Sequence, residues 1–130
     1  MTGTRILSAK SAAEFAKVQH PEEIRNDSRN IPTASPFFLP YEIQAKDVDP
    51  VGCFGLGSAI QGADRILQDG KRGRGKGAVY WYGAANIAFW IDGEMGIVVV
   101  AAANFFPFMD MKWVEFAAGL EGLIYEDLKV

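Results

Sequence analysis

Ala78-Val79-Tyr80-Trp81-Tyr82-Gly83-Ala84-Ala85-Asn86-Ile87-Ala88-Phe89-Trp90-Ile91-Asp92-Gly93-Glu94-Met95-Gly96-Ile97-Val98-Val99-Val100-Ala101-Ala102-Ala103 is the stretch that decides the fold. It holds three apolar runs, rich in aromatic and β-branched residues and punctuated by glycine and an Asp-Gly step. Such runs form strands, and short glycine-containing breaks between them form hairpins, so the pattern predicts an antiparallel meander. Any chemistry the chain has is expected on the first of these strands.

Downstream, Asp110 is a good N-cap for a helix over residues 111–128. Trp113, Phe116, Ala117, Leu120, Leu123, Ile124 and Leu128 follow the 3.6-residue period and predict one wide apolar stripe. Glu115, Glu121, Glu126 and Asp127 are expected off it. The stripe needs a partner, and the meander face is the available one. Upstream of the meander, Gly73-Arg74-Gly75-Lys76-Gly77 superficially resembles a phosphate loop. Lys76 is followed by Gly77 rather than Ser or Thr, so the pattern fails, and the run is expected to be a flexible basic hairpin loop. Residues 51–60 read as a strand in which Gly55 and Gly57 strip one face for close packing of a helix. Residues 63–67 can prolong it, and Gln68-Asp69-Gly70-Lys71 is a turn by composition.

Residues 8–19 predict a short helix capped by Ser8 or Ser11 and ended by Pro21. His20, the only histidine, sits at its end and reads as a surface or capping residue rather than a catalytic base. Five of the six prolines fall within residues 21–50, which therefore form neither helix nor central strand. The expected organisation is a helical segment over 1–20, a proline-rich loop over 21–50, and one partial domain over 51–130. The fold class is α+β: an antiparallel meander of three to four strands packed on a C-terminal amphipathic helix, with a short N-terminal helix.

Composition narrows the function classes. A 130-residue chain with 49% hydrophobic and 12% aromatic residues has the makings of one core. Its net charge of -3 gives no reason to expect nucleic acid or a membrane as partner. No apolar run reaches signal-peptide or membrane-span length, which points to a soluble, cytoplasmic chain. The lone Cys53 excludes an internal disulfide and a cysteine-built metal site, and no cofactor is expected. None of Ser8, Ser11, Ser28, Ser35 and Ser58 has a lysine three residues on, and none lies in G-x-S-x-G. Asp92 and Glu94 bracket a glycine turn and read as hairpin carboxylates.

Trp81-Tyr82-Gly83, the Ile87-Ala88-Phe89-Trp90-Ile91-Asp92 run, the strand after it, Pro107, Asp110 and the amphipathic helix, in this order, resemble the C-terminal part of β-lactamase-related serine hydrolases. The likeness is closest to the class C-like esterases and transesterases common in fungi, and it covers most of the chain. The resemblance implies a β-lactamase/transpeptidase-like fold and an edge strand carrying a W-x-G box. Trp81 takes the place of the Lys or His of other members, Tyr82 the middle place and Gly83 the glycine. It also implies that the backbone N–H of Ala84 is an oxyanion-hole donor, with Trp81, Tyr82 and Gly83 contacting substrate. The family's S-x-x-K nucleophile and tyrosine base have no counterpart in this sequence. The implied role is a C-terminal fragment that offers the oxyanion side of an acyl site, takes a small acyl or ester substrate when completed by an N-terminal portion, and is inactive alone. The alternative is a non-catalytic module that pairs, or self-associates, through an exposed sheet edge.

Overall fold

The computed structural model describes residues 6–21, 23, 49, 52–108 and 110–128. Most of the proline-rich stretch and the start of the predicted N-terminal segment lie outside the described residues.

The three apolar runs form the predicted meander: β3 (Val79–Gly83), β4 (Ile87–Asp92) and β5 (Ile97–Ala102), each antiparallel to the next. Two short strands, β1 (Cys53–Phe54) and β2 (Ala59–Ile60), extend it to a five-stranded sheet of order β1-β2-β3-β4-β5. The single strand expected over residues 51–60 is therefore a tight hairpin. Gly57 has φ +96°, a conformation glycine adopts without steric penalty, and the Gly55 N–H donates to the Ser58 carbonyl at 2.8 Å. The chain reverses there instead of running on. The ribbon beyond β2 continues irregularly, with Arg65 bonded to Gly73 and Arg74 and Leu67 to Lys71 around the predicted turn.

The N-terminal helix α1 (Ala9–Phe15) is capped by Ser8, whose hydroxyl accepts from the Ser11 N–H. It closes on the hairpin as the glycine pattern predicts: a Cβ at Gly55 would lie 2.8 Å from the Phe15 carbonyl oxygen.

The C-terminal helix α2 (Met111–Asp127) is capped by Asp110, whose carboxylate accepts from the N–H groups of Lys112 and Trp113. Strand alternation sends Tyr80, Tyr82, Ala88, Trp90 and Ala101 toward α2. Trp90 and Tyr80 pack with Tyr125, while Ala88 and Ala101 pack with Trp113. The buried face of α2 differs from the predicted stripe. Trp113, Glu121, Gly122 and Tyr125 are buried, while Phe116 and Leu123 are 59% and 63% exposed. Glu121 wins a core position because two arginines meet it there. On the other sheet face Ile60 and Val79 are buried, while Trp81, Ile91, Val98 and Val100 stand exposed.

Candidate functional site

The W-x-G residues occupy the second half of β3. Strand β2 pairs only with Val79 and Tyr80, so β3 is a central strand there and has no partner on that side from Trp81 onward among the described residues. The expected edge strand is thus an edge over half its length. Backbone polar groups alternate in direction along a strand. The Ala78 carbonyl accepts from Gln61 on the β2 side, so those of Tyr82 point to the open side.

The side chains divide between two faces. Trp81 is 42% exposed on the face away from α2 and meets Phe54 edge-on, with ring centroids 4.9 Å apart. Gly83 follows on the same face, where a Cβ would crowd Ile87 at 3.2 Å. Tyr82 turns the other way, into the core, and its hydroxyl accepts from Arg74 Nη2 at 3.2 Å. The structure therefore puts Trp81 and Gly83 on one face and turns the Tyr82 side chain to the other, its ring centroid still 6.5 Å from that of Trp81. Ala84 opens the three-residue loop 84–86, whose last residue, Asn86, has φ +59°. That is the pattern of a type I turn closed by a bulge, with Ala84 at its first central position.

Behind the strand lies an arrangement that the sequence reading missed. The expected flexible loop over Gly73-Arg74-Gly75-Lys76-Gly77 is a buried clamp, with Arg74 only 2% exposed. Its guanidinium donates to Gln61 Oε1 at 2.9 Å, Glu121 Oε2 at 3.2 Å and the Tyr82 hydroxyl, and it lies 4.0 Å from the centre of the Tyr80 ring. Its backbone N–H donates to Glu121 Oε1 at 2.8 Å, and Arg65 also donates to Glu121. Burial opposes the Arg74 charge, but Tyr82, Glu121 and Tyr80 outweigh it and raise its pKa. The glycines on either side permit this depth. A Cβ at Gly73 would lie 2.4 Å from Glu121 Oε1.

Asp92 is likewise more than a hairpin carboxylate. It is buried and accepts from the N–H groups of Gly75, Glu94 and Met95 and from the Tyr125 hydroxyl at 2.8 Å. Burial alone would raise its pKa, yet these four donors lower it. Tyr125 and Tyr80 are both pushed up, chiefly by burial and next by the carboxylates they face, Asp92 and Asp49. A phenol held in its neutral form is a poor general base, so neither supplies the base the sequence lacks. Among the described residues a cavity of about 30 Å³ lies between the sheet and α2 beside Arg74, Tyr82 and Trp113. It has room for a water or two and none for a substrate.

The fold is β-lactamase-like. It is shared with solved structures of simvastatin synthase (LovD) from Aspergillus terreus. One is the LovD6 mutant (TM-score 0.76, 21% identity), covering 95% of this chain and 29% of that one. A second is the unliganded enzyme (TM-score 0.71, 23% identity), covering 94% of this chain and 30% of that one. This chain thus spans less than a third of the length of the structures it matches. No protein-family model matches the chain, and no curated protein matches it. Among the described residues no helix is long and apolar enough to cross a membrane.

Proposed function

We propose that the chain is the C-terminal portion of a β-lactamase-related serine hydrolase or acyl-transferring esterase, with residues 51–130 as its partial domain. In this reading it supplies the oxyanion side of an acyl site. The observation that carries the reading is the fold match, which takes in 95% of this chain and 29% of the matched one. The half-edge at Trp81-Tyr82-Gly83 is consistent with it, because a site on a strand needs one side of that strand free.

The Ala84 N–H donates to the oxygen that becomes negative as a tetrahedral intermediate forms. Such a donor is worth about 3 kcal/mol in the transition state, because it is held in place before the charge develops. The Arg74–Tyr82 hydrogen bond anchors the strand from behind and keeps that donor in position. The serine that attacks, the lysine that activates it and the tyrosine base are contributed by sequence outside this chain. Alone, the chain binds an acyl group without forming an acyl-enzyme.

Hydrolysis of p-nitrophenyl butyrate and nitrocefin tests this. The chain alone gives no turnover above background. Adding an N-terminal companion that carries S-x-x-K and the tyrosine base produces turnover. Ala84→Pro then lowers kcat by about 10²- to 10³-fold, since proline suits the first central position of a type I turn while removing the N–H. A folded mixture of the two parts that never acylates would overturn the proposal.

A further inference from the structure

The lone histidine, set aside on sequence grounds, lies beside the W-x-G strand. Gln19 donates its backbone N–H to the Phe54 carbonyl at 3.0 Å, which fixes the chain leaving α1 against β1. The next residue, His20, therefore lands on the Phe54 ring, with centroids 6.3 Å apart and planes tilted by 33°. Phe54 in turn meets Trp81 at 4.9 Å with planes at 67°. Three rings thus stand in a row from the end of α1 across β1 to β3. They lie on the flank where β2 leaves β3 unpaired, and all three are exposed.

We propose that His20, Phe54 and Trp81 form an aromatic wall that selects an uncharged aryl group on the acyl or alcohol side of the substrate. This rests on the acyl-site reading above and deepens it. The steeply tilted Phe54–Trp81 pair makes a corner into which a third ring fits edge to face, an arrangement favoured by the ring quadrupoles. Position sets the size. Trp81 and Ala84 are roughly 10 Å apart along the strand at about 3.3 Å per residue. An acetyl group held at the Ala84 N–H falls short of the wall, whereas an aryl group on a short spacer reaches it. His20 closes the outer end of the row and acts as a specificity-determining residue. Among the described residues its ring makes no hydrogen bond, so it is free to turn onto a ligand.

Intrinsic fluorescence of the chain itself reads this wall, because Trp90 and Trp113 are buried and Trp81 is the exposed tryptophan. The probes are acetanilide and N-methylacetamide, which share an amide and differ in the aryl group. Acetanilide is expected to change the emission saturably, and N-methylacetamide to leave it unchanged. Phe54→Ala and His20→Ala should each weaken acetanilide binding by about threefold to tenfold, the range of an aromatic pair. Leu123→Ala, on the exposed side of α2, should not alter it. Non-saturable acetanilide effects, or affinity indifferent to both wall substitutions, would overturn the wall. With the companion present, aryl esters should outpace ethyl esters by a ratio that falls in Phe54→Ala. Companion-dependent turnover without that preference removes the wall and keeps the acyl-site reading. Saturable acetanilide binding without any turnover on adding the companion keeps the wall and removes the acyl-site reading.

Discussion

Replacing Glu121 by leucine would remove the carboxylate that, among the described residues, neutralises the buried Arg74. Glu121 accepts from the Arg74 backbone N–H, the Arg74 guanidinium and Arg65, and both Arg74 and Glu121 are 2% exposed. After the substitution Arg74 keeps Gln61 and Tyr82 as neutral partners but has lost its charged one, and its N–H is orphaned. Removing one member of a buried pair costs about 3–5 kcal/mol, because the survivor remains out of water without its counter-charge. That is about a fifth or more of the roughly 5–15 kcal/mol that holds a typical domain together. Arg74→Met should cost a similar amount, since it leaves Glu121 with Arg65 alone. The double variant removes both fully buried charges and leaves only the less buried Arg65 without its carboxylate, and replacing a buried pair by apolar residues is often close to neutral. Its cost should therefore fall at least about 2 kcal/mol below the sum of the single costs. Urea unfolding followed by far-UV circular dichroism measures all four corners of the cycle. Single costs below about 1 kcal/mol, or strict additivity, would show that the clamp is a surface-like pair and refute the reasoning.

Asp92 should give the fold an acid limit. Its folded pKa lies below the ordinary carboxyl value of 3.8, so its contribution is complete above that value. The contribution is lost as pH falls from 3.8 through the lower folded value. Asp92→Asn should be less stable at neutral pH and should lose less stability over that acid window, as an acid titration followed by circular dichroism will show; parallel curves would contradict the assignment. Gly73→Ala and Gly77→Ala should differ sharply although both add one methyl group. Gly77 has open space and φ +87°, so alanine there costs about 1 kcal/mol of backbone strain. At Gly73 the methyl displaces the Glu121 carboxylate, and a loss of more than about 2 kcal/mol is expected from the broken pair. Thermal melts of the two variants decide between these outcomes.

The meander was legible because its strands announce themselves locally: β-branched and aromatic runs cut by short turns leave few alternatives. Asp110 as a cap and the turn at Gly70 were legible for the same reason. The hairpin at Gly57 was hidden because alternating glycines suit both a stripped strand and a tight reversal, and only the approach of β2 to β3 separates the two. Glu121 was misplaced by the habit of assigning carboxylates to the solvent side. Its spacing was nonetheless informative, since it stands four residues from both Ala117 and Tyr125 and so shares their face. The same holds for Arg74, whose flanking glycines are as suitable for burying a guanidinium as for a mobile loop. Of the candidate site, the strand and its glycine could be found by pattern. The free half-edge and the ring row with His20 could not, because they depend on contacts between distant segments.

Asn86 links two parts of the chain that are far apart in sequence. Its side-chain amide donates to the carbonyls of Phe105 and Pro107 at 2.9 and 2.8 Å, and its carbonyl oxygen accepts from the N–H of Asp110, the residue that caps α2. The loop that begins with Ala84 and the turn that launches the last helix thus share one amide as their common joint. Segment 104–110 has no freedom to change length on its own. An inserted or deleted residue there would pull on Asn86 and shift the Ala84 N–H two residues away. In a lineage of such proteins, length changes should be rare between β5 and α2.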